Sequence, residues 1–112
     1  MKTEIYLSAK DGSYNAQAIY DSTGEITVKK GSHIRMQFAA HIRGGKTAKK
    51  YRENPAYVNE EGVTLQDCKF TSPSTAAQFV MGSSTNGWTA WHIDKKTNLK
   101  QYIERTESTE EQ

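Results

Sequence analysis

The sequence predicts a small α+β domain: a small antiparallel sheet, built from an N-terminal meander and C-terminal strands, packed against one or two short helices. Three observations lead to this fold class. Short alternating stretches separated by turn residues fill the first 30 residues, a capped apolar helix pattern occupies residues 73–81, and more short alternating stretches flank that helix. The length of 112 residues fits a single domain.

The N-terminal part predicts the meander. Residues 4–7, 16–20 and 25–29 alternate apolar and polar side chains, as strands with one buried face do. The turn residues Asp11-Gly12 and the four residues 21–24 separate them. Ile34, Met36 and Phe38 then alternate with polar residues, which predicts that residues 33–39 continue as a strand.

The middle of the chain predicts shorter elements. Good helix formers occupy residues 46–53, and Pro55 limits this helix because it lacks an N–H group and constrains Asn54. The other elements expected here are a loop at Gly44-Gly45, a second helical turn over 56–61 and short strands over 63–65 and 68–70.

Residues 71–82 predict a helix over about 73–81. Thr71 or Ser72 can cap its first turn, Pro73 suits the first helical position, and Gly82 suits the left-handed residue after the last turn. An alternating strand is expected over 88–93 and a short helix over 95–105. We therefore expect one α+β domain over residues 1–94, that short helix, and a disordered acidic tail over 106–112.

Composition bounds the compartment and the class of protein. Leu, Ile, Val and Phe number only 17, so the core is thin, and aromatic residues make up part of the shortfall. Cys68 is the single cysteine, so no intramolecular disulfide forms, and we expect it to be an inert buried thiol. The opening residues MKTEIYLSAKDG contain no apolar run of the signal-peptide type, so the cytoplasm is the expected location.

Charge is concentrated in the middle of the chain. The net charge is +2, but residues 29–52 contain eight lysines or arginines and no acidic residue. These are Lys29, Lys30, Arg35, Arg43, Lys46, Lys49, Lys50 and Arg52. Two interpretations stay open: a solvated face without a ligand, or a patch that contacts nucleic-acid phosphates.

A second set of residues forms a recognisable pattern. Ser-Pro-Ser-x-Ala-Ala is followed by a glycine after the helix and by Asn-Gly-Trp with a second tryptophan three positions on, and Lys-Gly-Ser stands earlier in the chain. The residues concerned are Gly31, Ser32, Ser72, Pro73, Ser74, Ala76, Ala77, Gly82, Asn86, Gly87, Trp88 and Trp91. This pattern resembles the signature of the bacterial domain-of-unknown-function family 4357, over about residues 5–93.

The resemblance implies a context rather than a reaction. Such domains often follow GIY-YIG-type nuclease modules or occur near restriction–modification proteins, and no activity belongs to the domain itself. It therefore implies an accessory role beside DNA, with a nuclease or restriction–modification protein as partner.

The signature has two physical interpretations. In the first it is structural: Ser72 caps a helix, Ala76 and Ala77 allow close packing, and a tryptophan covers the core. In the second, the N–H groups at the helix start and the hydroxyls of Ser72 and Ser74 hold a phosphate. An exposed Trp88 or Trp91 would stack on a base.

Catalytic patterns are sparse. The sequence contains no GxGxxG, Walker, HExxH or CxxC motif. His33, His41, His92 and Cys68 would bind a metal only if the fold gathered them, and their spacing gives no sign of that. We therefore expect no enzyme, metal or cofactor, but a non-catalytic domain that binds nucleic acid through its basic residues. The alternative is a protein-interaction or oligomerisation module, in which the basic face docks an acidic partner or an exposed edge of the meander pairs with another copy.

Overall fold

A four-stranded antiparallel sheet underlies the fold. In the computed structural model, which describes residues 2–36, 46–83 and 85–110, the strands follow chain order across the sheet. They are β1 Lys2–Ser8, β2 Asn15–Asp21, β3 Ile26–Val28 and β4 Cys68–Phe70. The α+β class with a small antiparallel sheet is thus confirmed. The meander and a strand at 68–70 lie where the sequence predicts them.

The two faces of the sheet differ because side chains alternate along each strand. The inner face is apolar and fully buried at Ile5, Ala18, Ile26 and Val28. The outer face carries polar side chains and is covered by no helix among the described residues, so it is open to solvent.

Within the described ranges, four helices accompany the sheet: α1 Lys46–Arg52, α2 Pro73–Met81, α3 Gly87–Ala90 and α4 Leu99–Glu110. Helix α2 packs on the inner face, where Ala76, Ala77 and Phe79 are fully buried. Its bounds match the prediction. Ser72 accepts the Thr75 N–H as a cap, and Gly82 ends the helix with a φ of 72°.

The predicted strand over 88–93 is wrong, because residues 87–90 form helix α3. The Asn86 side chain accepts the Trp88 N–H, so it caps a single helical turn. Trp91 then lies fully buried in the core. His92 alone makes strand-like pairing, with Tyr6.

Residues 33–36 form no continuous strand. The N–H groups of His33, Ile34 and Arg35 bond in turn to Asn15, Gly62 and Val80, three separate parts of the chain. A strand would bond one neighbour repeatedly. Residues 37–39 and the predicted Gly44-Gly45 loop lie outside the described residues.

Two other short elements also differ from the prediction. Residues 56–61 form turns, because the side chains of Asn54 and Asn59 accept backbone N–H groups that a helix would otherwise use. Val63 and Thr64 form isolated bridges, to His33 and Val58 respectively, instead of a strand.

The C-terminal helix begins later and continues further than the sequence predicts. Asn98 and Gln101 each accept the other's backbone N–H, which starts α4 at Leu99. Leu99 is fully buried, so this helix shares the core of the sheet beyond the predicted domain limit at residue 94. The helix runs to Glu110, into the stretch predicted to be disordered.

Both edges of the sheet are covered at one point. At the β1 edge, Tyr6 and His92 exchange two backbone hydrogen bonds of 2.8 and 2.9 Å. At the β4 edge, the Tyr51 hydroxyl accepts the Lys69 N–H at 3.3 Å. Since exposed strand edges pair with other chains, these contacts block the centre of each edge.

Candidate nucleic-acid interface

Helix α1 presents three lysines to solvent. Ala48 is fully buried, and Tyr51 and Arg52 are half-buried. These three residues therefore form the face of the helix that packs against the rest of the protein. Lys46, Lys49 and Lys50 lie on the rest of its surface and are exposed. Glu53 lies 3.8 Å from the Lys49 ammonium in an exposed pair.

Aromatic packing fixes α1 against the β4 edge. The Tyr51 ring meets Phe70, Phe79 and Tyr57 edge-on, with centroid distances of 5.3, 6.0 and 4.9 Å. Its hydroxyl reaches the backbone of Lys69. The lysines of α1 therefore flank the sheet edge that carries Lys69, whose side chain is exposed.

The outer face of the sheet continues this positive surface. Lys69 lies opposite Thr27 in the neighbouring strand. Lys29 follows Thr27 by two residues and so lies on the same face, which makes the two lysines diagonal neighbours. The Lys29 ammonium lies 3.9 Å from Glu4 in an exposed pair. We call Lys29, Lys46, Lys49, Lys50 and Lys69 the cationic face.

Lys69 is not among the basic residues that the sequence predicted to contact nucleic acid. It stands 17 residues beyond Arg52, in the half of the chain that is net acidic. The pairing of β3 with β4 brings it beside the other lysines, and that pairing leaves no local trace except the short alternation around Cys68.

Two of the other predicted basic residues, Arg52 and Arg35, make their contacts elsewhere in the protein. The Arg52 Nε donates to the Phe79 carbonyl at 2.9 Å, and burial, with a smaller effect of Arg35, lowers the pKa of Arg52 to about 10. The Arg35 guanidinium bonds Ser13 and lies 5.2 Å from the Tyr14 ring centroid. Lys30 is exposed at the end of β3, and Arg43 lies outside the described residues.

The signature residues meet where α2 begins. The Ser74 hydroxyl accepts the Gly87 N–H at 3.0 Å, and the Trp91 indole donates to the Pro73 carbonyl at 3.0 Å. The Ser72 hydroxyl accepts the Thr75 N–H. Both serine oxygens are thus used within the protein, and α3 covers this end of α2, which favours the structural interpretation over a phosphate site.

The other signature residues are also structural. Gly31 has a φ of 89°, and the buried Ser32 accepts the Gln17 N–H through its hydroxyl. Trp91 is fully buried and unavailable for stacking on a base. Trp88 is 36% exposed and meets the Tyr20 ring edge-on at 6.2 Å.

Cys68 is expected to resist thiol–disulfide exchange in the folded protein. The thiol is buried, and burial, with a smaller contribution from Asp67, raises its pKa to about 12. The reactive thiolate is therefore scarce at pH 8. Ellman's reagent should react slowly with the native protein and fully in about 6 M guanidinium chloride, and rapid native labelling would contradict this.

The two histidines that the structure describes, His33 and His92, have separate backbone partners. His33 contacts the Glu61 carbonyl, His92 contacts the Ala90 carbonyl, and His41 lies outside the described residues. Over residues 2–36, 46–83 and 85–110, no group of three or more histidine, cysteine or acidic side chains could hold a metal ion. Within the same ranges, no helix has the length and apolar character needed to cross a membrane.

Comparison with known proteins identifies a family. The family model described as a domain of unknown function, DUF4357, matches residues 5–103. This range includes the sheet from Ile5 onward and the first five residues of α4. Neither a curated protein nor a solved structure matches the chain significantly.

Proposed function

The chain belongs to the DUF4357 family of domains of unknown function, and from its cationic face we propose that it is a non-catalytic domain that binds nucleic acid through the phosphates. We further propose that it does so as an accessory to a DNA-cleaving or DNA-modifying partner. The resemblance of its signature to domains found beside nuclease modules supports the choice of partner.

The observation that carries this proposal is the placement of five lysines on adjoining elements of the fold. Three lie on α1, which packs against β4 through Tyr51, and two on the outer face of the adjoining strands. The ion pairs at Lys49 and Lys29 are long and exposed, so phosphates can displace Glu53 and Glu4 at little cost. Each lysine that neutralises a phosphate releases counterions, which favours binding at low salt.

The contacts at the sheet edges weigh against the alternative of pairing with another copy. Tyr51 and His92 occupy the middle of β4 and β1 respectively. An acidic protein docked on the same lysines would compete with DNA, and direct measurement of DNA binding separates the two.

Reversing two charges on α1 should weaken DNA binding. We expect the Lys46→Glu/Lys50→Glu variant to bind a labelled duplex of about 16 base pairs at least tenfold more weakly at about 50 mM salt. The plot of log affinity against log salt should be shallower by about two units, because two phosphate contacts are lost. Fluorescence anisotropy between about 50 and 200 mM salt measures both quantities.

The matched control is Lys96→Glu/Lys100→Glu, which changes the net charge equally but alters exposed lysines away from the cationic face. It should bind DNA nearly as tightly as the unmodified protein. Equal losses in the two variants would reduce the effect to net charge alone. No binding by the unmodified protein at about 50 mM salt would refute the proposal.

A further inference from the structure

A cleft of about 850 Å³ opens beside β1, at the edge of the sheet opposite to β4. Leu7, Met81 and Ile93 form apolar parts of its wall, and Tyr6 stands at its rim with 39% of its surface exposed. The volume lies within the range of sites that take a small ligand, and the lining combines these apolar side chains with polar and charged ones.

Tyr6 is held firmly in place. Its backbone makes two hydrogen bonds to His92, and its hydroxyl donates to Glu4 Oε2 at 3.1 Å. Because the ring is already positioned, little side-chain entropy is lost when another ring stacks on it. Aromatic stacking is the contact that unpaired bases use on proteins.

His92 contributes a polar group to the cleft. Its Nδ1 lies 2.7 Å from the Ala90 carbonyl oxygen, which can only accept, so Nδ1 carries the proton. In the neutral ring Nε2 is then the acceptor. An acceptor in the cleft favours a ligand whose ring system offers an N–H donor, which each nucleic-acid base does through a ring N–H or an exocyclic amino group.

Two cations complete the cleft. Lys10, Lys95 and Asp94 all line it and are exposed, and the Asp94 carboxylate accepts the backbone N–H groups of Lys96 and Thr97. Two ammonium groups face one carboxylate, so the net charge of these three side chains is positive. It complements a phosphate attached to the ring ligand.

The outer face of the sheet connects this cleft with the cationic face. Gln17 lies opposite Tyr6 and accepts the Lys29 N–H through its carbonyl, so Tyr6, Gln17 and Lys29 form one row across three strands. Three interstrand spacings, about 14 Å, separate β1 from β4. A nucleic-acid strand that contacts Lys69 therefore reaches Tyr6 by crossing the sheet.

We propose that the cleft binds one unstacked nucleotide of a single strand, with the base against Tyr6 and one of its N–H donors at His92. Lys10 and Lys95 hold the adjoining phosphate. This inference rests on the proposed function and gives it a substrate class, single-stranded nucleic acid.

Anisotropy with labelled oligo(dC) of about ten nucleotides tests the inference, beside the duplex used above. Tyr6→Leu, which keeps an apolar side chain but removes the ring, should weaken oligo(dC) binding about five- to tenfold. It should leave duplex binding unchanged. Circular dichroism confirms that the variant is folded.

Paired lysine variants provide a second test of the cleft, and they leave the residues of strand β1 unchanged. Lys10→Ala/Lys95→Ala should weaken oligo(dC) binding about tenfold. Lys96→Ala/Lys100→Ala removes the same charge from exposed positions outside the cleft and should have little effect.

The outcomes separate this inference from the proposed function. Duplex binding that depends on α1, together with oligo(dC) binding that neither Tyr6 nor the Lys10–Lys95 pair affects, overturns the cleft and leaves the proposed function standing. Failure to bind either duplex or single strand rejects both. Binding of free cytidine 5′-monophosphate without binding of any strand also rejects both, and assigns the cleft a free nucleotide.

Discussion

Alanine at position 87 is expected to lower the free energy of unfolding by about 3 kcal/mol. The added Cβ would overlap the carbonyl group of Pro73 and the backbone nitrogen of Ser74. Backbone atoms at the start of a buried helix cannot move aside as a flexible side chain can. If α3 moved away from α2 to relieve this overlap, the hydrogen bond from the Gly87 N–H to the Ser74 hydroxyl would also be lost. Urea unfolding followed by circular dichroism measures the change.

Gly31→Ala is the matched control for this substitution. Gly31 has no atom within 4 Å of an added Cβ, but its φ of 89° strains an alanine. We expect a loss of about 1 kcal/mol from that strain alone. If Gly87→Ala proved no more destabilising than Gly31→Ala, the close packing of α3 on α2 would be disproved.

Trp91→Ala should be the most damaging truncation in the core, with a loss of about 4 kcal/mol. The side chain is fully buried and is the largest of the fully buried side chains among the described residues. Its indole supplies the hydrogen bond to the Pro73 carbonyl oxygen. Since small domains are stable by about 5–15 kcal/mol, this variant loses much of its stability or all of it.

Milder substitutions separate the hydrogen bond from the volume. Trp91→Phe keeps an aromatic ring but leaves the buried Pro73 oxygen without its donor, so we expect a loss of about 2 kcal/mol. Trp88→Phe alters a partly exposed ring and should change stability by about 0.5 kcal/mol or less. Urea midpoints that rank Trp88→Phe below Trp91→Phe in stability would contradict the assigned roles.

Local signals in the sequence were sufficient for helix α2. Its cap, its proline and its terminal glycine all lie within residues 72–82, and each acts on its own neighbours. The first two strands could be predicted equally well, because alternation and turn residues describe a meander without reference to distant parts of the chain.

Helix α3 shows where such reasoning fails. Residues 88–93 alternate as a strand would, yet a cap from Asn86 and contact with Pro73 select a single helical turn. The contact with Pro73 is tertiary, and no alternation pattern reports it.

Only part of the candidate interface could be predicted from the sequence, for a related reason. The cluster on α1 follows from charge counting, but which basic side chain turns inward depends on the helix register against Phe79. Arg52 turns inward and bonds that residue's carbonyl. Lys69 and the cleft residues His92 and Lys95 come from distant segments that only the folded sheet brings together.

The bridge between Tyr6 and His92 also bears on how the chain folds. It joins residues 86 positions apart, and Thr3 and Tyr102 are joined over 99 positions. Closing such long loops loses chain entropy before any contact compensates for it, and domains rich in distant contacts fold over milliseconds to seconds. On the ribosome, the edge of β1 therefore stays open until residue 92 has emerged, although β1 itself is among the first segments to appear.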